Sequence, residues 1–189
     1  MSAAPTHPDP RRFTVREYHR LAEVGILRPD ERVELIDGEI IRMSPIGHRH
    51  AGIVNRLTAH FAKVGDRAVL SVQNPVHVDD HGEPEPDMML LRTQPDYYEE
   101  AMPGAGDVHL MIEVGDSTLT CDLNAKRSYY ARHRIAELWV VDAVRKVIHA
   151  CRDPHDGEYR DVSQKQGDDS LAPLSFPDFV ASVRKMVGA

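Results

Sequence analysis

Two carboxylates stand at the ends of apolar runs in this chain, and a lysine follows them. Asp87 comes after Pro86 and opens the run Met88-Met89-Leu90-Leu91. Glu113 closes the run Val108-His109-Leu110-Met111-Ile112. Lys126 stands further on, in a segment that reads as helix. A carboxylate at a strand tip is costly to desolvate unless something compensates it. Two such acids near a lysine suggest a divalent-metal site that handles phosphate. Magnesium favours carboxylates, waters and substrate phosphate, and a lysine offsets charge that builds on a phosphoryl group. Asp87 on its own also fits a strand start after a proline. Glu113 does not dissolve so easily into structure, because it sits at the end of an apolar run and an unpaired buried charge is expensive.

These residues need elements to hold them. Thr14-Val15-Arg16-Glu17 matches a capping box. Val15, Tyr18, Leu21 and Ala22 then recur at helical spacing up to Gly25, which predicts a short helix packed on the core. Val33-Glu34-Leu35-Ile36 and Glu39-Ile40-Ile41-Arg42 flank Asp37-Gly38, a two-residue hairpin turn. A helix is predicted from His48 to Val64, with Ile53, Val54, Leu57 and Phe61 on one stripe and Gly65 as its stop. Strands are expected over Ala68 to Val78, Pro86 to Arg92, Val108 to Val114 and Glu137 to Asp142, and Trp139 in the last of these reads as core. A helix from Cys121 to His133 precedes that strand. Lys146 to Arg152 and Glu158 to Val162 form a hairpin, and Asp178 to Val187 a closing helix. The order predicts an α/β (α+β) fold with one mixed sheet covered by helices. Asp122, Lys126 and Tyr130 fall at i, i+4 and i+8, so one helix face carries all three and Asp122 could orient the lysine.

Composition narrows the classes. The chain has 189 residues and a net charge of −7, which argues against a large nonspecific nucleic-acid binder with a basic surface. Local basic clusters remain at His48, Arg49 and His50 and at Arg127, Arg132, His133 and Arg134. His48 and His50 do not share a helix face, and no second pair of soft ligands completes a zinc site. Residues 1–12 hold three prolines and no apolar stretch, so they read as a disordered lead before a single domain over 13–189. No run is long enough to span a bilayer. Two cysteines without a secretion signal fit a reducing, cytoplasmic setting.

A set of strings occurs in a fixed order: Glu34-Leu-Ile-Asp-Gly-Glu39, Met43-Ser-Pro45, Gln73-Asn-Pro-Val76, Glu83-Pro-Glu-Pro-Asp87, Ile112-Glu-Val114 with Asp116-Ser-Thr118, Asp122 with Lys126 and Tyr130, and Leu138-Trp-Val-Val-Asp142. In this the chain resembles the Uma-type putative restriction endonuclease family, within the PD-(D/E)XK nuclease superfamily, from Phe13 to Phe179. The resemblance implies a restriction-endonuclease-like mixed central sheet flanked by helices. It implies Mg²⁺- or Mn²⁺-dependent hydrolysis of a nucleic-acid phosphodiester, with DNA the first candidate. Asp87 and Glu113 match the two metal-holding acids. The superfamily lysine belongs two residues after the second acid, where this chain has Gly115, so Lys126 would supply the cation from the following helix. Alternation alone would turn Glu34 outward; the resemblance implies a third carboxylate or a water-positioning role for it, and a water-orienting amide for Gln73. A homo-oligomer would suit duplex cleavage by two related sites. The alternative is a catalytically silent protein of the same fold, binding nucleic acid or serving as a regulatory partner in an assembly.

Overall fold

The structure, a computed structural model, describes residues 10–115 and 122–188, and within 122–124 the backbone alone. Most of the expected lead, Asp116 to Thr118, Cys121 and the side chain of Asp122 lie outside the described residues.

Helix α1 (Val15–Glu23) starts at the capping box. The Glu17 amide donates to Thr14 Oγ1 at 3.2 Å, and the Thr14 amide donates to Glu17 Oε2 at 3.0 Å. The helix buries no residue fully, contrary to the expectation of core packing. Polar ties hold it instead: Tyr18 Oη donates to the Val33 carbonyl at 2.9 Å, and His19 meets the buried Glu83 at 2.8 Å. Strands β1 (Val33–Ile36) and β2 (Glu39–Arg42) form the expected hairpin. Asp37 and Gly38 both take positive φ, 51° and 76°, as such a turn requires.

Helix α2 (His48–Phe61) ends three residues short of the predicted Val64, where a tighter helical turn takes over. Strand β3 (Val69–Val72) is much shorter than the predicted strand to Val78. It stops because Gln73 takes φ 51°, which breaks the extended run before Pro75 is reached. Strands β4 (Met88–Leu91) and β5 (Val108–Gly115) follow, then helix α3 (Asp122–Arg132) and strand β6 (Glu137–Asp142). Strands β7 (Val147–His155) and β8 (Glu158–Gln166) make a long hairpin. The predicted helix over Asp178 to Val187 is only α4 (Val183–Val187). The residues before it are taken by pairing of β9 (Ser170–Leu171) with β10 (Ala181–Ser182), and by Asp178, which binds Arg67 at 2.7 Å.

The main sheet has six strands in the order β3-β4-β5-β6-β7-β8, antiparallel except for the β5–β6 pair. A parallel pair needs a crossover, and α3 supplies it. Strand alternation divides the core into two faces. Leu110, Ile112, Trp139 and Val141 pack beneath α2 and α4, whereas Met111, Leu138 and Val140 pack beneath α3 with Tyr129 and Tyr130. Trp139 is fully buried, 5.9 Å from the Phe61 ring. Each such side chain contributes about 1.5–3 kcal/mol on burial. Among the described residues, no helix is long and apolar enough to cross a membrane.

One buried carboxylate is purely structural. Glu137 is fully buried and accepts from Trp139 Nε1 at 2.8 Å, from Arg152 at 2.7 Å and from the Leu174 amide at 2.6 Å. It thereby ties the 170s segment to the sheet. Glu137→Gln turns an amide NH₂ toward one of these donors and removes the charge. We expect a loss of about 2 kcal/mol and a melting temperature lower by roughly 4–8 °C. An unchanged thermal melt would remove Glu137 from this role.

Candidate active site

The register of the sheet determines where the strand-end residues go. Val72 pairs with Met88, and Met88 with Ile112. One step outward along each antiparallel pair brings Gln73 opposite Asp87, and Asp87 opposite Glu113. The three thus form a row across the ends of β3, β4 and β5, where cross-strand side chains sit about 5 Å apart. The Gln73 amide donates to the Asp87 carbonyl at 3.2 Å, and Gln73 Nε2 approaches Asp87 Oδ1 at 3.4 Å. Asp87 Oδ2 accepts from the Val114 amide at 2.8 Å, which binds the carboxylate to the neighbouring strand. From the other side of the sheet, His50 in the first turn of α2 brings Nε2 to 2.9 Å from the same carboxylate.

Glu113 is 7% exposed and points toward α3. Tyr130 Oη donates to Glu113 Oε1 at 2.7 Å, and Lys126 Nζ lies 3.1 Å from the same oxygen. Lys126 also meets Glu34 at 2.8 Å. Glu34 is 4% exposed and not outward-facing. Alternation gave the wrong side because β1 is buried on both faces: Leu35 is fully buried on one, and Ile36, on the same face as Glu34, packs in the core beneath α3. The Glu85 amide adds a hydrogen bond to Glu34 Oε2 at 3.2 Å.

Charge is crowded here, and the proton affinities show it. Burial pushes the Glu113 carboxyl up to about 7; the Lys126 charge opposes this, and Asp87 and Glu34 add to it. Burial disfavours the Lys126 ammonium, but Glu113 and Glu34 outweigh it and hold the group above its ordinary value. Burial, followed by the charge of Glu113, raises the Tyr130 hydroxyl well above its usual range, so it remains a donor.

Asp87, Glu113, Lys126, Glu34 and Gln73 all line one cavity of about 310 Å³ between the β1–β2 hairpin and the sheet edge. Lys126 bonds Glu34 and Glu113 directly. His50 and Tyr130 complete the polar set. The i+4 step from Lys126 pointed to Tyr130, while nothing in the local sequence pairs His50 with Asp87. The basic clusters are partly spent within the fold: Arg132 binds Asp37 at 3.1 Å and His133 approaches Asp79 at 3.5 Å.

The donor chemistry suits a hard divalent cation. Lys126 meets Glu34 and Glu113, and Asp87 meets His50, so three carboxylates gather in a desolvated place. Among the described residues, no group of three or more His, Cys, Asp or Glu forms a ready cage. Magnesium seldom needs one, because it keeps waters and takes one or two carboxylates with substrate phosphate.

A family model described as Uma2, Putative restriction endonuclease, matches residues 15–184. A similar solved structure is a crystal structure of a putative nuclease belonging to DUF820 from Anabaena variabilis ATCC 29413. It is 18% identical, with a TM-score of 0.68 over 93% of this chain and 97% of that one, and it supports the mixed-sheet fold. No curated protein matches the chain.

Proposed function

Because the chain belongs to the Uma2 family of putative restriction endonucleases, we propose that it is a metal-dependent nuclease whose centre is the row Gln73–Asp87–Glu113 beneath Lys126. The observation that carries this reading is the convergence of buried carboxylates and one buried ammonium on a single cavity. Asp87 and Glu113 would hold Mg²⁺ or Mn²⁺, and the ion would supply Lewis-acid activation of a phosphoryl group. Asp87 is held in position by the Val114 amide and His50, so its oxygens need no reorganisation as charge develops. Lys126, drawn from its carboxylates toward an entering phosphate, would stabilise charge on the five-coordinate transition state. Gln73 would orient a water through its amide, and Glu34 would hold the lysine near the cavity when no phosphate is present.

The test is a cleavage assay on DNA and RNA, single- and double-stranded, with Mg²⁺ or Mn²⁺ and against EDTA. Product in the metal arms, absent with EDTA and absent in Asp87→Asn, is the expected result. The direct clamp of Lys126 on two carboxylates favours a second reading, a protein that binds nucleic acid without cutting it. Binding with no cleavage in any metal arm would select that one.

A further inference from the structure

The shape of the cavity narrows the substrate. Its polar end is deep: Glu34, Asp87 and Glu113 are each no more than 9% exposed. Among the described residues, the cavity that leads to them lies between the hairpin and the sheet edge. The hairpin and the segment after it also bring apolar side chains to the lining, Ile36, Ile41, Met43, Pro45 and Ile46. Ile46 is 45% exposed, a large apolar side chain left at the mouth. The volume, about 310 Å³, lies at the small end of ligand cavities, roughly 300–1,000 Å³. It suits one nucleotide unit and not a stretch of double helix.

Charge at the mouth points the same way. A duplex brings one phosphate per about 1.7 Å of axis, so its grip rests on many cations. The two arginines that line this cavity are tied to carboxylates: Arg32 to Glu85 at 2.9 Å, and Arg42 to Glu31 at 2.8 Å. The rim therefore offers flanking phosphates little net positive charge. What it offers a nucleic acid is an apolar surface beside a phosphate-sized polar end. A base has a π-face that suits such a surface, but in a duplex that face is covered by its neighbours.

We propose that the site takes an unpaired nucleotide of a nucleic-acid strand, its phosphate at Lys126 and its base against Ile41, Met43 and Ile46. This rests on the nuclease reading above. The substrates are then single strands, frayed ends and bulges, and a fully paired duplex is a poor one.

Fluorescence anisotropy with labelled 20-nucleotide probes tests this, in Ca²⁺ to hold back cleavage. The probes are single-stranded DNA, single-stranded RNA, the blunt DNA duplex and the same duplex with one bulged base. Single strands and the bulged duplex should bind about tenfold or more tighter than the blunt duplex, in line with the worth of base contacts. The two single strands report whether sugar matters. Ile46→Glu should lower single-strand affinity about tenfold and leave duplex affinity unchanged, and Ile46→Phe should raise the former. Ile46 is exposed, so equal thermal melts are expected for both variants. Equal or tighter binding of the blunt duplex overturns the inference and leaves the nuclease reading standing. The same holds if Ile46→Glu weakens every probe alike. Absence of binding to all four probes overturns both.

Discussion

Lys126→Ala is expected to lower the turnover rate by about 10²–10³-fold, with a much smaller change in substrate or metal affinity. The lysine is buried at 14% side-chain exposure and bonded to Glu34 and Glu113, so it is already desolvated and held at the cavity. That is the condition under which one positioned charge contributes most to a transition state. Lys126→Arg should restore only part of the rate, because a planar fork does not replace a compact ammonium between two carboxylates. The substitution has a second effect. Lys126 is the main influence that lowers the Glu113 carboxyl, so its loss pushes that group further up. In the metal-free variant that carboxyl should then titrate at a higher pH than in the wild type. A steady-state comparison, beside thermal melts of metal-free samples over a pH series, reads both effects. Near-wild-type turnover in Lys126→Ala would sink the assignment and pass the cationic role to another residue such as Arg127.

Removing either acid of the row should abolish Mn²⁺ binding in calorimetric titration, yet the two variants should differ in stability. Glu113 is forced up to about 7 by burial first and by its carboxylate neighbours after that. A group whose folded value is raised gives stability that is complete below its unfolded value of 4.5 and lost as the pH climbs through about 7. Metal-free Glu113→Gln lacks this titration. It should melt with the wild type near pH 4.5 and increasingly above it toward pH 8. The gain is on the order of a few kcal/mol, or roughly 5–10 °C. Asp87→Ala should behave in the opposite way. It strips the acceptor from the Val114 amide and costs about 1–3 kcal/mol. Unchanged Mn²⁺ binding in both variants would remove the row as a metal site. A metal-free Glu113→Gln less stable than wild type at pH 8 would show the Lys126 pair to outweigh burial.

What the sequence made legible is what short-range chemistry decides. The capping box at Thr14 and Glu17, the Asp37-Gly38 turn and the strand Glu137–Asp142 are each determined by neighbours within a few residues. Asp87 and Glu113 were visible as acids ending apolar runs, and both line the cavity. What stayed hidden depends on distant partners. Glu34 turns inward because distant parts of the chain bury both faces of its strand, and alternation has no knowledge of that. The closing helix loses its first residues to a strand pair with Ser170–Leu171. The bond from His50 to Asp87 spans 37 residues. In each case a long-range contact outweighs a local preference.

The separation of Lys126 from its two carboxylates has a consequence in time. Glu113 is 13 residues away along the chain and Glu34 is 92. A polypeptide emerging from its N-terminus has exposed Glu34, Asp87 and Glu113 before α3 exists. Until then three like charges oppose being brought together, and closing so long a loop has an entropic cost that nothing yet offsets. Lys126 then adds a tie between the hairpin and β5 to the backbone bonds that already join Leu35 and Glu83. An unfinished chain, or one cut between β5 and α3, therefore carries every acid of the centre without the lysine that bonds Glu34 and Glu113.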